Sequence, residues 1–334
     1  MIKTIFFSSK PYDITSFKDA IKSFNTDIQM DFHSDSINVK NALLVKGYDV
    51  VCVFVNDAIT PEIASILKDN GCKLIALRCA GYNNVDLQSL KEYGIPVIRV
   101  PEYSPYAVAE YAFALLLTLN RKIHKAHNRV RELNFNIDGL LGFDLHGKTM
   151  GVIGTGKIGK IFINIAKGFG MNIVAYDPYP DLEHAEKLNY KYLDLDELYK
   201  QSDIIALHCP LTKDTHHIIN KDSVSKMKEG VVIINTSRGG LIDTQDIIQC
   251  LKDHKISALA IDVYEEEENV FFEDFSHKAN ITDDVLSRLM TFNNVIVTSH
   301  QAFFTKEALD NISKTTIDNI LSYLQNNQLK NEVI

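Results

Sequence analysis

The sequence predicts an α/β protein built on doubly wound parallel sheets, with two such sheets in series. Three observations carry that reading. Apolar runs of strand length alternate with helix-period segments along most of the chain. The 334 residues suffice for two hydrophobic cores. Residues 148–177 contain one complete unit of strand, glycine-rich turn, helix and strand.

Composition sets limits before any motif is read. Hydrophobic content of 46% and charged content of 23% are those of an ordinary soluble globular chain. The net charge of −8 speaks against a polyanion-binding surface, so neither nucleic acid nor an acidic membrane is an expected partner. The N-terminus, MIKTIFFSSKPYD, meets Pro11 and Asp13 too soon for a secretory apolar segment and reads as a first strand. The most apolar run, Ala112 to Leu119, is far shorter than the ~20 residues of a membrane span. Cys52, Cys72, Cys79, Cys209 and Cys250 show no CxxC spacing, and their odd number fits a reducing cytoplasm with inert buried thiols.

In chain order, Ile2 to Ser8 reads as a strand, Thr15 to Phe24 as a helix and Val50 to Val55 as a buried strand. A helix from Pro61 to Asn70 leads to strand Leu74 to Arg78, and Val97 to Val100 closes a first parallel α/β domain without a phosphate-binding turn. Pro101 and Pro105 mark a hinge-like crossing. A single long helix is expected from about Pro105 to Asn134, apolar early and basic late.

The second domain opens with strand Met150 to Ile153, then Gly154-Thr155-Gly156-Lys157-Ile158-Gly159, then a helix on which Ile161, Ile165 and Phe169 can share a face. Strand Asn172 to Tyr176 ends on Asp177. In this context GxGxxG is a dinucleotide fingerprint. Gly154 permits the tight turn, Gly156 admits a pyrophosphate, Gly159 lets helix and strand pack, and the helix N-terminus offers N–H groups to the anion. Asp177 stands where a carboxylate would accept hydrogen bonds from an adenosine ribose and repel a 2′-phosphate, which favours NAD over NADP. This domain is Rossmann-like, and so, in outline, is the first.

Further strands are expected at Ile204 to His208, Val231 to Asn235, Ala258 to Asp262 and Val295 to Thr298, with helical patterns between most of them. Asp262 to Asn294 reads as an acidic, weakly periodic loop region, and an amphipathic helix, roughly Lys306 to Gln325, ends the chain. No internal repeat is visible. Among the histidines, His216 and His217, the pair His124 and His127, and His146 and His254 read as solvent-facing or capping groups. No metal constellation is discernible.

Six separated stretches now matter together: LRCAGYNNVD (77–86), IRVPEYSPYAVAEYA (98–112), GVIGTGKIG (151–159), NTSRGGLID (235–243), IDVYEEE (261–267) and SHQAF (299–303). Through them the chain resembles the D-2-hydroxyacid dehydrogenase family along its whole length, and within it the bacterial fermentative D-lactate dehydrogenases. The resemblance implies a nucleotide domain, residues 102–299, inserted into a substrate domain made of residues 1–101 and 300–334, with the active site in the cleft. It also implies a homodimer or dimer-based homo-oligomer and a cytoplasmic enzyme that reduces pyruvate to D-lactate with NADH.

Such a reaction needs a carboxylate anchor, a proton donor for the ketone oxygen, a group that keeps the donor charged, and a placed hydride. Arg238, after the strand ending at Asn235, offers a planar fork that suits a carboxylate and the adjacent carbonyl oxygen. Outside its motif it would read as a surface ion-pair arginine. His300, after the strand ending at Thr298, is the expected general acid. The resemblance assigns the third role to Glu267. A one-residue slip in that loop would promote Glu266 or Glu268 instead.

Other contacts are implied by the resemblance alone. Backbone N–H groups of Cys79, Ala80 and Gly81 would hold the substrate carboxylate, Tyr103 would line the pocket, and Phe303 would limit room for the substrate side chain. On the cofactor, Lys157 and Ile158 would offer backbone N–H groups, Cys209 and Pro210 would wall the adenosine, and Thr215, Thr236, Ser237, Arg238 and Asp262 would lie along the dinucleotide. Cys209 could equally be an inert core thiol. Two rival functions remain at this level: a dehydrogenase for a bulkier 2-keto acid, and a non-catalytic NAD-sensing regulator. The intact Arg238, Glu267 and His300 argue against the regulator.

Overall fold

The structure is a computed structural model that describes residues 1–267, 270–277 and 281–334. The chain divides into two compact units, Met1–Ser104 with Phe304–Ile334, and Pro105–Phe303.

The first unit contains β1 (Ile2–Phe6), α1 (Pro11–Phe24), β2 (Ile28–Phe32), β3 (Val50–Val53), α2 (Pro61–Asp69), β4 (Leu74–Leu77), α3 (Leu87–Glu92), β5 (Val97–Arg99) and the C-terminal helix Lys306–Asn326. Its described strands form a parallel sheet in the order β2-β1-β3-β4-β5. Two of these elements were not expected. β2 is an edge strand whose IQMDF sequence leaves most of its residues partly exposed, and α3 is a short helix started by the Asp86 carboxylate accepting the Ser89 N–H at 2.8 Å. α1 begins four residues earlier than its apolar period suggested. Pro11 suits a first helical turn, and the Asp13 carboxylate accepts the Lys10 N–H at 3.0 Å. The C-terminal helix lies against α1, where Ser16 Oγ donates to the Leu309 carbonyl at 2.9 Å.

The second unit begins with α4 (Pro105–Arg121) and α5 (Ile123–Arg131). The single long helix expected here is broken: Lys122 takes a left-handed conformation, φ +50°. α4 buries Ala109, Ala112, Phe113, Leu116 and Leu119 in the core, whereas α5 buries nothing that would hold it collinear.

There follow β6 (Thr149–Ile153), α6 (Lys157–Gly168), β7 (Asn172–Tyr176), α7 (Leu182–Leu188), β8 (Lys191–Tyr192), α8 (Leu195–Gln201) and β9 (Ile204–Leu207). The second half runs α9 (Lys221–Ser225), β10 (Val231–Asn235), α10 (Thr244–Lys252), β11 (Ile256–Ile261), α11 (Asp284–Met290) and β12 (Val295–Val297). The described strands form a parallel sheet in the order β12-β11-β10-β9-β6-β7-β8. The order reverses between β6 and β9, which in an open α/β sheet is where a ligand sits.

Two further expectations are corrected. The core face of α6 is Gly159, Phe162, Ile163 and Ala166; Ile161 and Ile165 flank it and Phe169 is 43% exposed. A run of isoleucines at period four marked one edge of a wider apolar stripe rather than its centre. The region 262–294 is not all loop, because α11 is capped by Asp283, whose carboxylate accepts the Leu286 N–H at 2.8 Å, and buries Leu286 and Leu289. Glu268, one of the alternatives to Glu267, lies outside the described residues. Among the described residues no helix is long and apolar enough to cross a membrane.

Candidate active site

The glycine-rich turn is shaped by close backbone approach. Gly154 has φ +96°, and a Cβ there would meet the backbone of His208 and Cys209 at 2.5 Å, so the turn is pressed against the end of β9. A Cβ at Gly159 would lie 2.1 Å from the Gly154 carbonyl oxygen, so α6 packs on the turn itself. A Cβ at Gly156 would meet nothing within 4 Å among the described residues. Open space therefore lies over the first turn of α6, whose backbone N–H groups face outward as they do at anion-binding helix ends.

Asp177 is bound into this turn. Its Oδ2 accepts the Thr155 N–H at 2.7 Å and the Thr155 hydroxyl at 3.1 Å, and its Oδ1 accepts the Tyr179 N–H at 2.9 Å. Thr155 Oγ1 is also 2.8 Å from the Tyr192 hydroxyl. A carboxylate held from two sides keeps lone pairs for ribose hydroxyls in a fixed direction.

After β10 the chain turns through Thr236, Ser237 and Arg238. Thr236 is 7% exposed and its hydroxyl has no hydrogen-bond partner among the described residues, which is the condition of a group whose partner is a ligand. Ser237 Oγ donates to the Leu207 carbonyl at 2.8 Å, and Arg238 Nη1 donates to the Ser237 carbonyl at 2.6 Å. Cys209 is buried, and burial pushes its thiol up to about 11, so it is a neutral apolar wall. Thr215 Oγ1 donates to the Pro210 carbonyl at 2.7 Å and so closes the turn that follows. Open space at Gly156, the Thr236 hydroxyl and the Asp177 carboxylate together fit a dinucleotide.

Past β11, Glu267 Oε1 lies 2.7 Å from His300 Nδ1, and Glu267 Oε2 accepts the Tyr264 N–H at 2.9 Å. Both side chains are partly buried, 21% and 17% exposed. Glu266 is exposed. His300 itself has φ +52°, a left-handed backbone that costs energy in a non-glycine residue and persists where surroundings enforce it. Asp262 does the enforcing. Its carbonyl accepts the His300 N–H at 2.7 Å, and its fully buried carboxylate accepts Thr298 Oγ1 at 2.5 Å, Gln301 N–H at 3.0 Å and Ala302 N–H at 2.8 Å.

Two positioning roles were not read from the sequence. Asp262, expected along the cofactor, also holds the His300 turn through its carboxylate, and only the fold brings those groups together. Gly239 carried a readable signal, the doubled glycine after Arg238. A Cβ at Gly239 would lie 2.1 to 2.3 Å from the Tyr264 and Glu265 backbone, so glycine lets the Arg238 turn reach the segment bearing Glu267. Phe303 is 7% exposed.

In the first unit, Cys79, Ala80 and Gly81 follow β4. Cys79 Sγ lies 3.2 Å from the Gly81 carbonyl, and Arg99 Nη1 donates to the Ala80 carbonyl at 2.8 Å. The Tyr103 carbonyl accepts Asn311 Nδ2 at 2.6 Å. Beneath the loop Arg78 is buried, with its guanidinium 4.3 Å from the Phe6 ring and 4.6 Å from the Phe54 ring, Nη2 donating to the Ser8 carbonyl, and Asp13 at 3.5 Å.

Comparison with known proteins places this geometry. Residues 113–302 match the family model of the D-isomer specific 2-hydroxyacid dehydrogenase NAD binding domain. A 2-hydroxyacid dehydrogenase homolog of Haemophilus influenzae is 49% identical over 319 residues, 96% of this chain and 95% of that protein. The D-lactate dehydrogenase of Escherichia coli is 47% identical over 333 residues and is covered in full, as is this chain. The solved apo-structure of the E. coli D-lactate dehydrogenase superposes with a TM-score of 0.91 at 45% identity, over all of both chains.

Proposed function

Because this chain belongs to the D-2-hydroxyacid dehydrogenase family, we propose that it is an NAD-dependent D-lactate dehydrogenase, reducing pyruvate to D-lactate. The observation that carries the reading is the Glu267–His300 pair at 2.7 Å in the unit that also bears the fingerprint and the Asp177 carboxylate. The likeness to D-lactate dehydrogenases supports the choice of substrate.

In this reading the bound NADH supplies the hydride that reaches C2 of pyruvate. Glu267 engages Nδ1 of His300, which leaves Nε2 to deliver the proton to the ketone oxygen. The same contact with Glu267 holds the imidazole ring in orientation. Arg238 binds the substrate carboxylate and stabilises negative charge developing on the reacting oxygen. Cys79, Ala80, Gly81 and Tyr103 remain the expected further contacts to the carboxylate and pocket, and Phe303 the residue that favours a three-carbon substrate. NADH, pyruvate and one proton give NAD and D-lactate.

The enzyme is also read as a cytoplasmic homodimer or dimer-based oligomer. Leu133, Phe135, Ile137 and Leu141, after α5, are 70 to 87% exposed, an apolar run that a second copy would cover. The test of function is NADH oxidation with a panel of 2-keto acids, followed by chiral analysis of the product. Turnover with pyruvate that yields D-lactate supports the proposal. No turnover with any 2-keto acid, or a clear preference for a branched or aromatic one, refutes it.

A further inference from the structure

We propose that His216, His217 and Glu265 form a binding site for one divalent transition-metal ion of the zinc, cobalt or nickel class. The proposal is independent of the substrate assignment. The three side chains come from two segments that backbone contacts hold together. His217 has φ +51°, and its N–H donates to the Gly240 carbonyl at 2.9 Å, while Ile219 N–H donates to the Leu241 carbonyl at 3.0 Å. Gly239 in turn allows the same strand-end turn to touch the Tyr264–Glu265 backbone. The histidine pair and Glu265 are thus both docked on the Gly239–Leu241 segment.

The side chains converge accordingly. The two imidazole rings stack with centroids 3.8 Å apart at 25°, His217 Nε2 is 2.6 Å from Glu265 Oε1, and one ligand atom from each of the three residues lies within 4.8 Å of the others. Asp243 Oδ2 stands 3.4 Å from His217 Nδ1, on the other ring nitrogen. That is the arrangement in which an outer carboxylate fixes the tautomer and orientation of a metal-binding imidazole. Two imidazole nitrogens and one carboxylate oxygen suit zinc, cobalt or nickel better than magnesium or calcium, and leave an open coordination position. Bonds of about 2.0–2.2 Å place tetrahedral ligand atoms roughly 3.4 Å apart, so His217 and Glu265 would part slightly to admit the ion while the wider separations close, which the partly exposed side chains can do by rotation. Glu265 is two residues before Glu267 and Gly239 is next to Arg238, so an ion here would tether both candidate site segments.

The full-length protein, stripped with a chelator, is titrated with cobalt(II) chloride by visible absorption and with zinc chloride by calorimetry. One saturable equivalent of cobalt that zinc displaces is expected. His217→Ala and, separately, the exposed His216→Gln should each weaken zinc binding by roughly tenfold or more, and His254→Ala should leave it unchanged. Circular dichroism identifies any variant that fails to fold, and the conservative His216→Gln keeps the test decisive. Absence of saturable uptake by the wild-type chain overturns the proposal, as does one-equivalent binding of equal strength in both variants.

Discussion

The carbonyl oxygen of Asp262 accepts the backbone N–H of His300 at 2.7 Å, while the Asp262 carboxylate binds the next two backbone N–H groups, of Gln301 and Ala302. One buried acid therefore imposes the left-handed turn that aims His300 at Glu267. In Asp262→Asn the two carboxylate oxygens become one oxygen and one NH₂ group, and one of the donors Thr298, Gln301 and Ala302 loses its acceptor, at about 1–3 kcal/mol. We expect kcat with pyruvate to fall roughly 10- to 100-fold with NADH affinity preserved. Stopped-flow turnover and NADH fluorescence titration separate the two quantities. A loss of NADH binding with unchanged kcat would instead place Asp262 on the cofactor.

His300→Gln removes the proposed proton donor and should lower kcat by about 10²–10⁴-fold. Glu267→Gln keeps a hydrogen-bond partner for the ring but removes the carboxylate that orients it, and a drop of intermediate size is expected. Neither change should alter the dissociation constant for NADH by much. Near-normal turnover of the His300 variant rules it out as the acid.

Asp177 is the acceptor-only group beside the fingerprint. Replacing it with alanine removes charged hydrogen bonds worth about 1.5–3 kcal/mol, raising KM for NADH roughly 10- to 100-fold while relieving repulsion of a 2′-phosphate. The ratio of kcat/KM for NADH to that for NADPH should fall sharply. An unchanged ratio means that discrimination resides elsewhere.

His208 follows β9, packs on the Phe162 ring at 4.7 Å, and has both ring nitrogens buried without a partner among the described residues, although part of the residue reaches the surface. Burial disfavours its charged form and lowers it from 6.5 to about 3. The unfolded chain then binds a proton below pH 6.5 that the native chain does not. Stability from this group is full above that pH and is lost as pH falls toward 3, by up to about 1.4 kcal/mol per pH unit. Urea unfolding at a series of pH values should show a shallower acid slope for His208→Phe than for the wild type; parallel slopes would remove His208 as a source.

Arg78 and Asp13 are 2% and 7% exposed in the first unit. Arg78→Met leaves a buried carboxylate uncompensated and should cost about 3–5 kcal/mol. Adding Asp13→Leu should recover much of that loss if the pair is the cause. Thermal unfolding of the two variants decides between this and a loss of ring stacking alone, for which the double variant would be no better than the single one.

Legibility in the sequence followed burial. Strands buried on both faces, such as β3, β4, β9 and β10, are continuous apolar runs and were visible, whereas β2 and β8 lie at sheet edges, where polar side chains are tolerated and the pattern fades. The helix break at Lys122 carried no glycine or proline to announce it. α11 was hidden because an acidic stretch precedes it and only Leu286 and Leu289 are buried.

The site divides in the same way. Local spacing was enough for the dinucleotide fingerprint and the acidic residue ending the next strand, because each lies within one strand and the turn after it, whereas Arg238, Glu267 and His300 were named together through the family resemblance of their motifs. Tertiary structure alone decided which carboxylate meets His300, what holds that histidine in a left-handed turn, and that His216 and His217 face Glu265. Parallel strands carry turns distant in sequence to the same sheet edge, and pairwise distances at that edge are set by sheet order and by Gly239, not by spacing along the chain.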